Sequence, residues 1–206
     1  MVKVKICGIT NTEDAIVAQE AGADFLGFIF ADSPRRVNAE AAAEIISNLP
    51  KRIKTVALFV NEEREKVDKV IKTAGRIDCL QFHGDESAQY CGSFPDKKII
   101  KAFRIKDESS LEKIAGYKDI DFILLDAFKE GQHGGTGNTF DWELANKAKE
   151  FNKPLFLSGG LTPDNVEEAI RTARPFCVDV SSGVEKSPGI KDIDLVHKFV
   201  AIAKSV

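Results

Sequence analysis

The sequence lacks the features that would assign it to a nucleic-acid-binding or membrane-bound class. Its 206 residues contain 29 Lys and Arg against 32 Asp and Glu, so there is no basic excess to attract nucleic acid. No apolar run approaches the ~20 residues needed to cross a bilayer. The start M-V-K-V-K-I does not resemble a secretion signal. We therefore expect a cytoplasmic protein that binds neither nucleic acid nor membranes.

Closely spaced cysteine pairs are also absent. The four cysteines are far apart, with no C-x-x-C pair, and lie at Cys7, Cys79, Cys91 and Cys177. This spacing predicts reduced thiols rather than a disulfide framework. No cysteine and histidine cluster has zinc-like spacing, so we expect no metal site. Cys79 and Cys177, at or near predicted strand starts, are typical of small buried side chains, whereas Cys91 gives no indication.

What the sequence does contain is a regular alternation of strand and helix patterns. Eight short runs rich in β-branched and apolar residues recur at 2–9, 25–30, 54–60, 79–83, 98–105, 121–128, 154–160 and 176–183. Several are almost continuously apolar, as expected for strands covered on both faces. Helical periodicity of apolar residues lies between them, in segments that begin at Val67, Val166 and Val196.

Local signals predict where some of these helices begin and end. Capping-box spacing predicts helix starts at Thr10 and Ser109, and Thr162 followed by Pro163 predicts a third. Gly22 predicts the end of the first helix. Each of these assignments rests on side-chain type alone.

Eight strands alternating with helices predict an α/β fold with a parallel sheet. An open doubly wound sheet would use the same units, but a count of eight favours a closed, single-domain (β/α)8 TIM barrel over residues 1–206. In such barrels, catalytic groups lie at the carboxyl ends of the strands. The unusual residues of this sequence all map to that face.

Two glycine-containing turns follow the seventh and eighth predicted strands. They are S-G-G at 158–160, with Gly159 and Gly160, and S-S-G at 181–183, with Ser181, Ser182 and Gly183. Backbone N–H groups in these two loops commonly bind phosphate in barrels. The simpler interpretation is that the glycines only permit tight turns. Because both loops have the pattern, phosphate binding is favoured.

Cys7 ends the first predicted strand and is followed at once by Gly8. A free cysteine is most often a small buried side chain. At the catalytic end of a barrel, a thiol can act as a base near neutrality if its environment lowers its pKa. Asp126 ends the apolar run of the sixth strand, where it would order a loop or donate a proton from a partly buried site. Together the two residues would form a proton-transfer pair.

Three further side chains are candidates for substrate binding or for simpler roles. Arg36, in S-P-R-R, can supply a bidentate fork for a carboxylate or phosphate, whereas Arg35 is interpreted as a surface residue. His83 would either hydrogen-bond substrate or cap the helix that follows it. His133 and His197 are interpreted as loop and helix-surface residues.

The ordered motifs resemble the phosphoribosylanthranilate isomerase family of tryptophan biosynthesis. They are K-I-C-G-I-T, S-P-R-R, Q-F-H-G, L-L-D-A, G-G-T-G with F-D-W, L-S-G-G-L and V-D-V-S-S-G-V-E, and they span essentially the whole chain. The resemblance implies the Amadori rearrangement of N-(5-phosphoribosyl)anthranilate to 1-(2-carboxyphenylamino)-1-deoxyribulose 5-phosphate, without a metal or organic cofactor.

The resemblance also implies roles for individual residues. Asp126 would be the general acid that opens the furanose ring, and Cys7 the general base that removes the proton from C2. Arg36 would hold the anthranilate carboxylate, the loops with Gly160 and Ser182-Gly183 the phosphate, and Asp179 would line the pocket.

Three alternatives stay open at this point. The histidine-pathway isomerase catalyses the same rearrangement, but its family has a pair of aspartates where this chain has Cys7 and Asp126. Indole-glycerol phosphate synthase needs a catalytic lysine and an N-terminal extension that do not fit. A non-catalytic phosphometabolite-binding module would keep the glycine loops and Arg36 but tolerate loss of Cys7 and Asp126. The sequence is equally compatible with a monomer and a homodimer.

Overall fold

The computed structural model describes residues 1–127 and 142–206. Eight parallel strands in this part of the chain close into a barrel, in the order in which they occur in the sequence. They are β1 (Lys3–Cys7), β2 (Phe25–Ile29), β3 (Lys54–Phe59), β4 (Cys79–Phe82), β5 (Lys98–Ile105), β6 (Phe122–Ala127), β7 (Leu155–Leu157) and β8 (Cys177–Val180). Because β1 pairs with both β2 and β8, the predicted closed barrel is confirmed and the open sheet is wrong.

The outer ring consists of helices that follow the strands. They are α1 (Thr12–Ala21), α2 (Ala39–Ser47), α3 (Arg64–Ala74), α4 (Ala88–Cys91), α5 (Glu143–Ala148), α6 (Val166–Ala173) and α7 (Ile193–Ser205). The connection after β4 contains only the single turn of α4, and a 3₁₀ helix, Glu108–Gly116, follows β5. Shortening these two connections helps eight strand units to fit into a chain near the lower limit for this fold.

The predicted apolar stripes face the core. The stripe that begins at Val166 is buried throughout α6, at Val166, Ala169, Ile170 and Ala173. In α3 only Val67 and Ala74 are buried, and the rest of its stripe is partly buried. Gly22 ends α1 as predicted, with a φ of 103° that favours glycine.

The predicted helix starts are wrong by one to three residues. Asn11 caps α1 by accepting a hydrogen bond from the N–H of Asp14, because the hydroxyl of Thr10 donates instead to the carbonyl oxygen of Gly189. Asp107, rather than Ser109, caps the 3₁₀ helix after β5. Likewise, α6 begins after Asn165, and Thr162 and Pro163 lie in the turn before it.

The barrel interior contains two layers of different chemistry. Near the amino ends of the strands lies an apolar layer, called the lower layer, formed by Phe25, Val56, Cys79, Ile100, Leu124, Phe156 and Cys177. Phe25 and Phe156 meet in it edge to face, with ring centroids 5.3 Å apart. Near the carboxyl ends lies a polar set, called the upper layer, formed by Lys5, Gln81, His83, Asp126 and Asp179, all of them buried.

A small antiparallel hairpin, β9 (Glu185–Ser187) and β10 (Ile190–Lys191), follows β8 outside the barrel sheet. Strands of two and three residues are too short to give a periodic pattern, so the sequence contained no signal for them.

No helix within residues 1–127 and 142–206 is long and apolar enough to span a membrane. In the same ranges no three His, Cys, Asp or Glu side chains are grouped so that they could hold a metal ion.

Candidate active site

The predicted site residues that the structure describes lie at the carboxyl ends of the barrel strands or in the loops that follow them. Cys7 is the last residue of β1, Asp126 the penultimate residue of β6, and His83 directly follows β4. The loops at 158–160 and 181–183 follow β7 and β8. The motif G-Q-H-G-G-T-G at 131–137, which includes His133, lies outside the described residues.

The Cys7 thiol is buried, and a glycine on the neighbouring strand makes room for it. Cys7 pairs in register with Gly27 of β2. A Cβ atom at Gly27 would lie 2.7 Å from the Cys7 Sγ and 3.2 Å from the Lys5 Cε. Any side chain at position 27 would therefore displace the thiol or the lysine beneath it.

Burial dominates the ionisation of this thiol. It raises the pKa of Cys7 above its ordinary value, while the Lys5 ammonium acts in the opposite direction, and the Asp179 carboxylate reinforces the rise. Lys191 contributes a second, smaller stabilisation of the thiolate. The condition stated for a thiol base, a pKa lowered by its surroundings, is therefore not met in the free protein, because desolvation outweighs the nearby cations.

The backbone of Cys7 is held by a buried lysine from the hairpin. Lys191 Nζ donates to the Cys7 carbonyl oxygen at 2.6 Å, to the Ser181 carbonyl at 3.3 Å, and to Glu185 Oε1 at 2.9 Å. Arg35 forms a bidentate ion pair with the same Glu185 carboxylate, at 2.7 Å and 2.8 Å. Arg35 therefore connects the loop after β2 to the segment after β8, and its interpretation as a surface residue is wrong.

Asp126 is buried and hydrogen-bonded to His83. The distance from His83 Nε2 to Asp126 Oδ2 is 3.0 Å, and His83 Nδ1 lies 2.9 Å from Gln81 Nε2. His83 does not cap the following helix, because the Ser87 hydroxyl accepts the hydrogen bond from the first turn of α4. That alternative is wrong, and His83 is part of the Asp126 wall.

The loop that presents His83 is fixed by a buried ion pair outside the barrel. Glu86 Oε2 accepts from Lys101 Nζ at 3.0 Å and from the N–H of Gly84 at 3.0 Å, while its Oε1 accepts from the N–H of Asn61. A Cβ atom at Gly84 would lie 2.4 Å from the Asn61 side chain. The glycine of Q-F-H-G thus permits close packing of the loops after β3 and β4.

The two glycine loops touch each other through their backbones. Gly159 and Gly160 have φ angles of 90° and 68°, and a Cβ atom at Gly183 would lie only 1.9 Å from the Leu161 carbonyl oxygen. Asn165 fixes the first loop by donating to the carbonyl oxygen of Gly160 and accepting from the N–H of Thr162. The structure therefore brings the two predicted phosphate loops together.

Two buried oxygens on the β8 side of the site are unsatisfied. Within the described residues, Asp179 Oδ1 and Ser181 Oγ have no hydrogen-bond partner. The other Asp179 oxygen accepts from Lys5 Nζ at 2.9 Å. Buried polar atoms are nearly always paired in proteins, so two unsatisfied ones at the end of one strand are unusual.

Arg36 lies apart from these buried groups. Its side chain is exposed, and its backbone is bridged to Ile29, the last residue of β2. Its guanidinium also acts on Glu62, in the loop after β3. Desolvation raises the pKa of that carboxyl, but Lys66, the Glu63 backbone and Arg36 together lower it. The structure thus places Arg36 at the rim of the barrel mouth rather than inside it.

Comparison with known proteins identifies the family to which this site belongs. Residues 4–202 match the sequence profile of N-(5'-phosphoribosyl)anthranilate (PRA) isomerase. An N-(5'-phosphoribosyl)anthranilate isomerase of Geobacter sulfurreducens is 53% identical over 205 residues, which cover 99% of each chain. The chain belongs to the N-(5'-phosphoribosyl)anthranilate isomerase family. The resemblance found in the sequence is confirmed.

Solved structures of the same isomerase family agree with this fold. The phosphoribosyl anthranilate isomerase of Thermotoga maritima superposes with a TM-score of 0.93 at 42% identity, and each chain is fully covered. Another, with a TM-score of 0.90 at 41% identity and full coverage of both chains, is a complex with reduced 1-(o-carboxyphenylamino)-1-deoxyribulose 5-phosphate. The chain is accordingly an isomerase of tryptophan biosynthesis.

Sequence reasoning missed three buried residues of this isomerase site: Lys5, Gln81 and Lys191. For Gln81 a signal was present, since it interrupts the otherwise apolar C-L-Q-F, whereas Lys5 alternates with Lys3 in V-K-V-K-I-C and so has the pattern of a half-exposed strand. A polar residue in a strand buried on both faces must point into the barrel or under a helix. Lys191 carried no comparable signal, because its hairpin has no periodic pattern.

Proposed function

We propose that the chain converts N-(5'-phosphoribosyl)anthranilate into 1-(2-carboxyphenylamino)-1-deoxyribulose 5-phosphate with Asp126 as general acid and Cys7 as general base. The observation that carries this assignment is their common setting. A buried carboxyl held by His83 and a buried thiol next to Lys5 lie at the same end of the barrel as the two glycine loops.

The acid step opens the sugar ring. Asp126 transfers its proton to the furanose oxygen while the bond from that oxygen to C1 breaks and the anthranilate nitrogen forms a C=N bond to C1. The product is a protonated Schiff base and an Asp126 carboxylate. His83 holds this carboxyl in place through the 3.0 Å hydrogen bond between its Nε2 and Asp126 Oδ2.

The base step removes the proton from C2. Cys7, as its thiolate, accepts this proton, and the electrons of the C–H bond neutralise the Schiff base to give an enolamine. The enolamine becomes the ketone when the C2 hydroxyl loses its proton and C1 gains one. Burial raises the Cys7 pKa in the free protein, but the positive Schiff base next to C2 adds to Lys5 in stabilising the thiolate.

Binding groups surround this pair. We assign the phosphate to the loops that contain Gly159, Gly160, Ser182 and Gly183, because they follow β7 and β8, where barrels commonly bind phosphate, and because they touch through their backbones. Arg36, exposed at the rim, is assigned to the anthranilate carboxylate, for which its guanidinium geometry is suited.

The sugar hydroxyls are assigned to the β8 side. Asp179 Oδ1 and Ser181 Oγ are the buried oxygens without partners within residues 1–127 and 142–206, and both gain one if they meet the substrate. Both ring nitrogens of His83 are engaged by protein groups. We therefore assign His83 to holding Asp126 rather than to contacting the substrate.

The first experiment measures turnover of N-(5'-phosphoribosyl)anthranilate, generated in situ and followed by its fluorescence. Cys7→Ser should lower kcat by roughly 10² to 10⁴, the usual contribution of a general base. The control Cys177→Ser changes a buried cysteine of the lower layer. It should lose about 1 to 3 kcal/mol of stability but keep the turnover of its folded fraction.

The outcomes separate the remaining alternatives. Normal turnover by folded Cys7→Ser would exclude the thiol as the base. Absence of turnover in the folded wild type, together with turnover of the histidine-pathway aminoaldose, would contradict the substrate assignment. Binding of phosphate without either turnover would support a binding module instead.

We further propose that residues 1–206 form one domain, since β1 and β8 at the two ends of the chain share one sheet. All four cysteines are free and buried, which supports a cytoplasmic location.

The chain is a monomer or a homodimer. A structure of monomers generated from the dimeric isomerase of Thermotoga maritima superposes with a TM-score of 0.89 at 41% identity, and the dimeric state of that relative favours the homodimer. Sedimentation equilibrium decides between the two states.

A further inference from the structure

The upper layer forms a continuous chain of hydrogen bonds across the barrel. Asp179 Oδ2 and Gln81 Oε1 lie 2.9 Å and 2.8 Å from Lys5 Nζ. Gln81 Nε2 lies 2.9 Å from His83 Nδ1, and His83 Nε2 lies 3.0 Å from Asp126 Oδ2. The chain therefore connects β8, β1, β4 and β6, and it ends on the carboxyl assigned as the general acid.

The direction of every hydrogen bond in this chain follows from Lys5. An ammonium group has three donors and no acceptor, so the Gln81 atom that faces it must be the carbonyl oxygen. The Gln81 NH₂ group then faces His83 Nδ1, which can only accept. In a neutral imidazole the proton must consequently lie on Nε2, from which it is donated to Asp126.

We propose that Lys5 and Gln81 are positioning residues that hold His83 as its Nε2–H tautomer and thereby fix the Asp126 carboxyl for proton transfer. This proposal rests on the role of Asp126 given above. The other tautomer would place two donors, the Gln81 NH₂ group and the His83 Nδ1–H, against each other, and it would leave His83 without a donor for the Asp126 carboxyl.

The burial of the chain strengthens this constraint. Lys5 and Gln81 are both 0% exposed, and Asp126 is 3% exposed, so water cannot replace a lost hydrogen bond at the first two positions. A buried donor or acceptor without a partner is costly, and each residue of the chain therefore dictates the orientation of the next. Rotating the Gln81 amide by 180° would place its NH₂ group against the Lys5 ammonium, and both of these groups can only donate.

The most direct test is the tautomer of His83 in the wild-type protein. The sequence has three histidines, so ¹⁵N-labelled imidazole resonances are few, and His83→Gln identifies the one that belongs to His83. We expect an Nε2–H resonance that is protected from fast solvent exchange, whereas exposed His197 should exchange rapidly. An Nδ1–H tautomer at His83 would overturn the proposal, and this result does not depend on any turnover.

Gln81→Glu tests whether the tautomer matters for the reaction. The change is nearly isosteric, but a carboxylate offers only acceptors and so draws the His83 proton to Nδ1. We expect kcat to fall about 10- to 100-fold, the effect of a misplaced catalytic group, with KM within about threefold and the His83 resonance altered. Gln19→Glu, the same change on α1 outside the barrel, should leave kcat and the resonance unchanged.

The two experiments distinguish this proposal from the assignment of Asp126. If folded Gln81→Glu moves the His83 proton without lowering kcat, the positioning role is overturned. If Asp126→Asn retains full turnover, the general-acid assignment fails instead. If Gln81→Glu does not fold, the wild-type tautomer still supports or overturns the proposal by itself.

Discussion

The lower and upper layers of the barrel interior share strands β4, β6 and β8, on which a residue of one layer lies two positions from a residue of the other. On β4 the lower residue is Cys79 and the upper is Gln81, and on β8 they are Cys177 and Asp179. Residues two apart face the same side of a strand, so both layers point into the barrel. Only the chemistry changes between them.

This difference has opposite consequences for stability and for reactivity. Burying Phe156 fully removes a large apolar surface from water and stabilises the closed barrel. Burying Lys5 and Asp179 requires their desolvation, which opposes the stabilisation from their mutual attraction. Apolar replacements of buried ion pairs are often equally stable, so we explain this pair by what it does at the site.

The largest difference between the two layers is expected in kcat, when a residue of the upper layer is changed. Asp126→Asn should lower kcat by roughly 10² to 10⁴, because the amide cannot donate the proton; this is about 3 to 5 kcal/mol of barrier. Its thermal midpoint should change little. Asp121→Asn is the matched control at the opposite end of the same strand, where Asp121 accepts from the N–H of Ile99 at 2.8 Å. Loss of turnover in both variants would contradict the division between the layers.

The second prediction concerns the lower layer. Phe156→Ala should reduce the free energy of unfolding by about 3 to 5 kcal/mol, because Phe156 is fully buried against Phe25 and Phe122. Turnover per folded molecule should stay close to that of the wild type. Denaturant titration and active-site titration measure the two quantities separately. Phe176→Ala, at a ring that is 38% exposed, should cost less.

The smallest expected effect is in the pH dependence. Because burial raises the Cys7 pKa, the thiolate fraction of the free enzyme grows with pH from neutrality through the alkaline range. A base acts when deprotonated, so kcat/KM should rise over that range, by at most about tenfold per pH unit. In Cys7→Ser, kcat/KM should not rise with pH over this range. A wild-type profile that is flat or falls there would contradict the assignment of Cys7 as the titrating base.

Most of the fold and the location of the site could be predicted from the sequence. Eight nearly continuous apolar strand patterns, separated by helical patterns, favour a closed barrel. The barrel in turn determines which strand ends meet. Cys7, Asp126 and the two glycine loops then fall on one face by topology alone. These features were accessible because periodicity is a local property of the sequence.

The remaining features depend on contacts between distant residues. Whether Thr10 or Asn11 caps α1 depends on Gly189, which lies near the other end of the chain. The ionisation of Cys7 depends on how far burial outweighs Lys5, and Arg35 connects the loop after β2 to the segment after β8 only because it pairs with Glu185. None of these balances can be derived from residue type and spacing.

The hydrogen bond from Lys191 to the Cys7 carbonyl oxygen joins residues 184 positions apart in the chain. Contacts of this separation carry a high loop-closure cost and are expected to form late. During synthesis, strand β1 emerges from the ribosome before the other seven strands, but its backbone carbonyl can meet Lys191 only after all eight strands have emerged. The site of the proposed base is thus completed late, and the appearance of turnover during refolding should mark closure of the barrel rather than its nucleation.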